Sequence, residues 1–107
     1  MAERFDVVGV GYTALDYLGI VPRAPRENTK LEMNDFLIQG GGPTATAMVA
    51  LKRLGMKTSY VGKVGDDGFG ARMLEELRAE GVDVSSVVVE RGATSQYAFI
   101  MVDAETA

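Results

Sequence analysis

Three consecutive glycines, Gly40 to Gly42, followed at once by a proline and an alanine-rich segment, constrain the fold of this chain most strongly. Glycine has no side chain, so bare backbone can approach whatever lies beside it. Pro43 suits the first turn of a helix, and the apolar residues up to Gly55 predict a helix buried on most sides. Its unpaired N–H groups would favour a polar or anionic ligand near the glycines.

The glycine run is not a phosphate-binding P-loop. No Gly-Lys-Ser or Gly-Lys-Thr follows it, and Lys52 lies deep in the predicted helix. The same residues, 40–55, also fit a purely structural interpretation, in which a tight loop leads into a helix whose small residues pack closely. Both interpretations stay open on local evidence.

A second glycine motif, formed by Gly9, Gly11 and Ala14, has the G-x-G-x-x-A spacing of a dinucleotide-binding turn. Such a turn requires a helix directly after it, of about three turns. The segment ALDYLGIVPRAP instead contains a glycine, β-branched residues and prolines, which favour an extended ribbon. The glycines then let the chain leave a sheet. Asp16, just beyond that exit, becomes a candidate ligand-binding carboxylate whose two oxygens can accept from neighbouring sugar hydroxyls.

The apolar periodicity along the rest of the chain predicts an α/β layer architecture. A second helix is expected at residues 69–80, preceded by Asp66 and Asp67 and ended by Gly81. An aspartate at a helix start is commonly a cap, and adjacent aspartates point different ways, so we expect no magnesium pair there. Strands are expected at residues 5–10, buried in a parallel sheet, at 58–61, 82–90 and 94–102, and in a separate ribbon at 15–21 and 31–38.

The composition excludes several classes of function. The chain has no histidine and no cysteine, which removes thiol chemistry, the commonest zinc ligands and an imidazole general base. A net charge of -4 leaves no basic face for nucleic acid or an anionic membrane. The N-terminus lacks the apolar core of a signal peptide and no apolar run could span a bilayer, so we expect a cytoplasmic protein. A chain of 107 residues is one domain or part of one.

The ordered set of motifs resembles the N-terminal half of the ribokinase-like (PfkB-type) sugar kinases. Asp16 on a ribbon, GGPTATA at a helix start and VGKVGDDGFG follow one another in the order of that family. The resemblance covers nearly the whole chain, and GYTALD, GGGPTATA and TSQYAFIMVD look most like the sulfofructose kinase branch. It implies a ribokinase-like parallel-sheet sandwich with a small β lid ribbon. It also implies an ATP-dependent phosphotransferase that phosphorylates a hydroxyl of a sugar, with ATP and magnesium used by the full-length parent.

The resemblance also implies a set of substrate-binding residues. Asp16 would hold sugar hydroxyls, and Gly41 and Gly42 would approach the sugar with backbone groups. Thr46 stands where most members have a sugar-binding asparagine, which indicates either a different substrate or a slip of one residue along the motif. Gln96 is a candidate if its face of the predicted strand closes over the sugar. The turn residues of VGKVGDDGFG are interpreted as mostly structural.

The resemblance places the catalytic base outside this chain. In the family it lies in a later G-A-G-D stretch, which precedes the ATP-binding segments. We therefore interpret residues 1–107 as the substrate-binding and lid part of the domain, with no catalytic or metal-binding residue, no bound cofactor and no activity alone. Half a sheet should expose an edge and self-associate, and a homodimer through the lid is a further expectation. The alternatives are a nucleoside kinase of the same family and a non-catalytic module that binds small molecules.

Overall fold

The computed structural model describes residues 4–107, so the first three residues of the predicted domain lie outside it. The α/β class is confirmed, and each predicted helix and strand has a counterpart. The structure also contains one short strand, β5, that was not predicted. In chain order the elements are β1 (Val7–Val10), β2 (Ala14–Val21), β3 (Asp35–Gly41), α1 (Pro43–Arg53), β4 (Thr58–Val61), β5 (Lys63–Gly65), α2 (Gly68–Ala79), β6 (Val88–Glu90) and β7 (Tyr97–Asp103).

The main layer is parallel, as the alternation of strands and helices predicts. β1 pairs with β4, and β5 pairs with β6. A parallel bridge between Ser59 and Asp83 extends β4 toward the segment that leads into β6. Helix α1 packs on β1 and β4, and α2 packs on β5. This layer forms the body of the molecule.

The predicted ribbon is a sheet of its own, which we call the lid. It has the strand order β3-β2-β7, with β2 antiparallel to β3 and parallel to β7. In this register Asp16 lies between Gln39 on one neighbour and Ala98 on the other. The separation of the ribbon from the main sheet is confirmed, and β7 is its third strand.

The core lies where α1 and α2 meet the strands. Its most buried large side chains are those of Tyr60, Leu15 and Met73. The Tyr60 hydroxyl donates a hydrogen bond to the carbonyl oxygen of Gly11 at 2.9 Å, and burial raises the pKa of Tyr60. A side chain at Gly62 would collide with that hydroxyl. The core therefore fixes the end of β1, from which the chain enters the lid.

Two burial predictions are wrong. Helix α1 is buried on one face only, by Ala45 and Met48, and Leu54 just after it is 78% exposed. The expected buried strand β1 leaves Val8 and Val10 exposed, the latter at 76%. An apolar helix or strand is buried only where another layer packs on each of its apolar faces. Residues 4–107 provide such a layer on one side of α1, and they provide one neighbouring strand for β1. The exposed apolar groups favour the expected self-association, which stays a prediction.

Several strand boundaries also differ from those predicted. β1 begins at Val7 and not at residue 5, and β6 covers only Val88–Glu90 of the expected residues 82–90. β3 starts later and runs through Gly40 and Gly41, which therefore belong to a strand and not to a tight loop. Pairing with β2 sets this register, because Gly41 lies opposite Ala14. β7 begins three residues later than predicted, because Ser95 is held in hydrogen bonds with Asp67. No helix within residues 4–107 has the length and apolar character to cross a membrane.

Truncation of Leu15 should test this core. Leu15→Ala removes a side chain that is 1% exposed, and we expect a loss of about 2–5 kcal/mol in the free energy of unfolding, because a cavity remains. The same change at the exposed Leu54 should cost less than about 0.5 kcal/mol. Urea unfolding followed by circular dichroism measures both. Equal losses for the two variants would contradict the packing described.

Candidate functional site

An open pocket of about 660 Å³ lies between the lid and the start of α1. Four residues singled out from the sequence line it together: Asp16, Gly42, Thr46 and Gln96. The fifth, Gly41, lies beside Asp16 and lines a neighbouring cavity of about 370 Å³ between α1 and α2. The structure thus brings residues from three parts of the chain to one place.

Asp16 is the one ionisable carboxylate of the pocket lining. The strand β2 presents it half-buried, and within residues 4–107 its carboxylate accepts no hydrogen bond. A side chain at Gly41 would collide with its Oδ2 atom, so the glycine makes room for the carboxylate. An unpartnered carboxylate in a pocket can accept hydrogen bonds from a ligand that carries adjacent hydroxyl groups.

The start of α1 forms the pocket floor. Gly42 is the N-cap residue with φ 90, a conformation that favours glycine, and it makes no side-chain cap. Its close approach to Thr13 leaves no space for a side chain, since an added Cβ would lie 2.9 Å from the Thr13 Cα atom. Pro43 follows in the first turn, and no acidic residue lies there. Backbone N–H groups of this turn therefore remain available to polar groups of a ligand.

The lid strand β7 contributes the opposite wall. Gln96, Tyr97 and Ala98 all line the pocket, and the ring of Tyr97 also stacks on Phe69 of α2 at 4.7 Å between centroids. The carbonyl of Gln96 also accepts a hydrogen bond from the Leu15 N–H at 3.1 Å, which ties the start of β7 to β2. Residues from both faces of the strand therefore line the pocket at this end, which alternation alone does not predict.

Sequence reasoning missed Tyr12, which lines the pocket and is 51% exposed. It follows Gly11 in the loop after β1. The carboxyl ends of parallel strands are where open α/β sheets bind ligands, so its position could have identified it. An exposed aromatic ring at such a place can pack against a sugar ring or a base.

The start of α2 is joined to the start of β7 by Asp67. Its carboxylate accepts hydrogen bonds from the Gly70 N–H at 2.9 Å and from the Ser95 N–H at 2.8 Å and hydroxyl at 2.6 Å. The Ser95 hydroxyl in turn accepts from the Gly65 N–H at 2.9 Å. These bonds, with the Ser95 hydroxyl foremost, hold the pKa of Asp67 below its usual range.

The neighbouring Asp66 has a different partner, because its carboxylate accepts from the Gly92 N–H at 3.0 Å. The helix cap is therefore Asp67. A side chain at Gly65 would collide with the Ala93 carbonyl, and one at Gly70 would collide with the Gly65 carbonyl. The close packing gives this turn the structural role expected of it. Within residues 4–107 no cluster of three acidic side chains could hold a metal ion.

Comparison with known proteins decides the family. Residues 4–107 match the pfkB family of carbohydrate kinases. The chain belongs to this family. It is 32% identical over 105 residues to a nucleoside kinase from Methanothermobacter thermautotrophicus, covering 98% of this chain and 34% of that protein. It is 36% identical over 104 residues to fructokinase-1 of Zea mays, covering 97% of this chain and 31% of that protein.

The fold of this pfkB family chain is ribokinase-like. A ribokinase from Arabidopsis thaliana, complexed with ribose and ATP, superposes with a TM-score of 0.78 at 24% identity, over 92% of this chain and 32% of that chain. The chain thus spans about a third of the length of the curated relatives named here. The predicted family and fold are confirmed. The sulfofructose branch and the roles of the pocket residues stay predictions.

The Asp67 hydrogen bonds predict how stability depends on pH. Because the folded state lowers the pKa of Asp67, this group stabilises the fold above its ordinary pKa of about 4, and the contribution is lost as the pH falls through the lower folded value. Asp67→Asn should therefore be less stable than wild type at pH 7 and should lose less stability on acidification.

Urea unfolding between pH 7 and pH 3 measures this difference. Asp66→Asn is the matched control, because it removes a neighbouring carboxylate with a single backbone partner. Parallel curves for wild type and Asp67→Asn would contradict the assignment.

Proposed function

We propose that this chain is the substrate-binding and lid part of an ATP-dependent kinase that phosphorylates a hydroxyl group of a ketose or a sulfofructose-like sugar. The observation that carries the proposal is the half-buried Asp16 carboxylate, which has no hydrogen-bond partner within residues 4–107 and lines a pocket beside glycine backbone. Family membership supports the kinase reaction. The cytoplasm, where ATP is plentiful, is the location that this function implies.

The pocket residues can orient the acceptor sugar. Asp16 accepts hydrogen bonds from two adjacent hydroxyls, while the hydroxyl of Thr46 and the amide of Gln96 offer further donors and acceptors. Gly41 and Gly42 allow the sugar to approach the backbone closely. Catalysis of phosphoryl transfer consists largely of positioning and of electrostatic stabilisation, so holding the acceptor is a direct contribution to it.

The described pocket does not fit ATP. Its lining carries no lysine or arginine, whereas a triphosphate requires cationic groups or metal ions around it. ATP with magnesium supplies the phosphoryl group, and we assign neither of them to a residue of this chain. The catalytic base and the nucleotide site belong, in this proposal, to the remainder of a longer protein. Val8 and Val10, exposed on one face of β1, support this arrangement, since a further layer of structure could pack over them.

A nucleoside kinase of the same family is the second candidate. The relative from Methanothermobacter thermautotrophicus carries that name. Ribose presents adjacent hydroxyls to Asp16 just as a ketose does, and the exposed ring of Tyr12 offers a surface for a base. A module that binds sugar without chemistry is the third outcome that the experiment must separate.

The experiment begins with the coding sequence downstream of Ala107. The 107-residue chain and any longer in-frame product are assayed for ATP-dependent phosphorylation of fructose, sulfofructose and nucleosides. We expect transfer by the longer product and binding without transfer by the shorter one. Binding without transfer by both would favour the non-catalytic module, and neither binding nor transfer would overturn the proposal.

Asp16→Asn should lower kcat/KM of the longer product by about 10–100-fold, the value of a hydrogen bond to a charged group. Asp35→Asn is the matched control, because Asp35 lies in the same sheet, is exposed, and within residues 4–107 its carboxylate accepts only from the adjacent Phe36 N–H. Equal effects of the two changes would remove Asp16 from the site.

We also propose that two copies pair through the lid. The lid exposes several apolar side chains, among them Phe99 at 69%, Leu37, Ile100 and Met101. Sedimentation equilibrium should show a dimer for wild type and a monomer for Phe99→Lys, because a charge there would be buried without a partner. Val10→Lys at the β1 edge is the control and should leave the dimer intact. A monomer with Val10→Lys and a dimer with Phe99→Lys would move the interface to that edge.

A further inference from the structure

The ion pair between Arg72 and Glu76 on α2 contacts the lid, and neither residue is among those proposed to bind the sugar. The Glu76 Oε2 atom accepts a hydrogen bond from the Gly40 N–H at 2.6 Å, and its Oε1 atom accepts from the Arg72 Nε–H at 3.3 Å. The Arg72 Nη2 group donates to the Ile38 carbonyl at 3.2 Å. One pair of side chains, one turn apart on the helix, thus holds two backbone groups of β3.

These backbone groups lie at an edge of the lid. β3 is the outer strand of the order β3-β2-β7, so within residues 4–107 its outward N–H and C=O groups have no strand to pair with. Arg72 and Glu76 supply a donor and an acceptor in place of that missing strand. Gly40 permits the contact, since a Cβ there would lie 2.6 Å from the Glu76 Oε2 atom.

The held backbone leads directly into the pocket. Gly41, the next residue, leaves room for the Asp16 carboxylate, and Gly42 is then the N-cap residue of α1 with φ 90. A displacement of Gly40 would therefore move the support of Asp16 and the pocket floor together. The ion pair is partly exposed and contributes little to stability alone, but charge-assisted hydrogen bonds to backbone give it a defined geometry.

We propose that Arg72 and Glu76 form a clamp that fixes the end of β3 and thereby holds Gly41 and Asp16 in the arrangement that binds the sugar. Neither residue lines the pocket that holds Asp16, so both are assigned as positioning residues. The effect on sugar binding rests on the proposed function, whereas the effect on β3 does not.

The clamp is separable from the general attachment of the lid to the body. Phe69, at the start of α2, packs edge-on against Tyr17 at 6.0 Å and stacks on Tyr97 at 4.7 Å between ring centroids. This aromatic contact remains when the clamp is removed. Loss of the clamp should therefore loosen the end of β3 without unfolding the chain.

The test compares Glu76→Ala with Glu75→Ala in the protein as its gene encodes it. Glu75 precedes Glu76 on α2, is exposed, and its side chain makes no hydrogen bond within residues 4–107, so the control has the same change of charge and helix propensity. We expect Glu76→Ala to speed hydrogen exchange of the Gly40 amide by about tenfold or more and to weaken binding of fructose or adenosine by about tenfold. Exchange in β1 and β4 and the urea midpoint should stay unchanged.

Glu76→Gln provides the second variant. Its single carbonyl oxygen can still accept from the Gly40 N–H but cannot also pair with Arg72, so both readouts should fall between wild type and Glu76→Ala. If Glu76→Ala does not fold, the comparison of Glu76→Gln with Glu75→Gln replaces it.

Unchanged exchange at Gly40 would overturn the clamp. Faster exchange with unchanged affinity would overturn its role in sugar binding, and equal effects of the Glu75 change would show a general property of the helix. Failure of the wild-type protein to bind any sugar or nucleoside would instead overturn the proposed function, and the exchange rates alone would then decide the clamp.

Discussion

The arrangement of body and lid depends on the hydrogen bonds that the Asp67 carboxylate accepts. This carboxylate caps α2 through Gly70 and accepts two hydrogen bonds from Ser95, the residue from which the chain enters the lid strand β7. The Asp67 carboxylate therefore binds the start of α2 and the start of β7 at the same time. Formation of the helix cap also positions the strand. A carboxylate suits this task, since its two oxygens accept several hydrogen bonds while its charge favours the N-terminus of the helix.

Helix α2 carries the lid along much of its length. After the cap, Phe69 packs against the aromatic rings of the lid, and Glu76 reaches the backbone of β3. Helix α1 meets the lid differently, through the continuous backbone of Gly41 and Gly42. The pocket is the space left between these two attachments. The pocket can accept hydrogen bonds from a ligand because Gly41 packs closely beside the Asp16 carboxylate, while no group within residues 4–107 donates a hydrogen bond to it.

The sequence predicted the elements better than their surroundings. The glycines at 55 and 81 mark the ends of both helices because both adopt positive φ, a local preference that composition reveals. The burial of α1 was predicted wrongly, since an apolar surface shows only that packing is favourable and not that a partner is present. The predicted end of this strand at residue 38 was wrong, because the pairing of β3 with β2 outweighed the weak strand propensity of Gly40 and Gly41.

The sequence by itself determined the order of strands and helices, the family, and the presence of Asp16, Gly42, Thr46 and Gln96 as polar or glycine positions near element ends. These depend on local propensities and on motif order, which the linear chain records. Only the tertiary structure decided that Gln96 faces the pocket and that Glu76 binds the Gly40 amide, 36 residues away. Such contacts require a helix or a loop to be packed against a sheet in a defined orientation, and periodicity within one segment carries no information about that orientation.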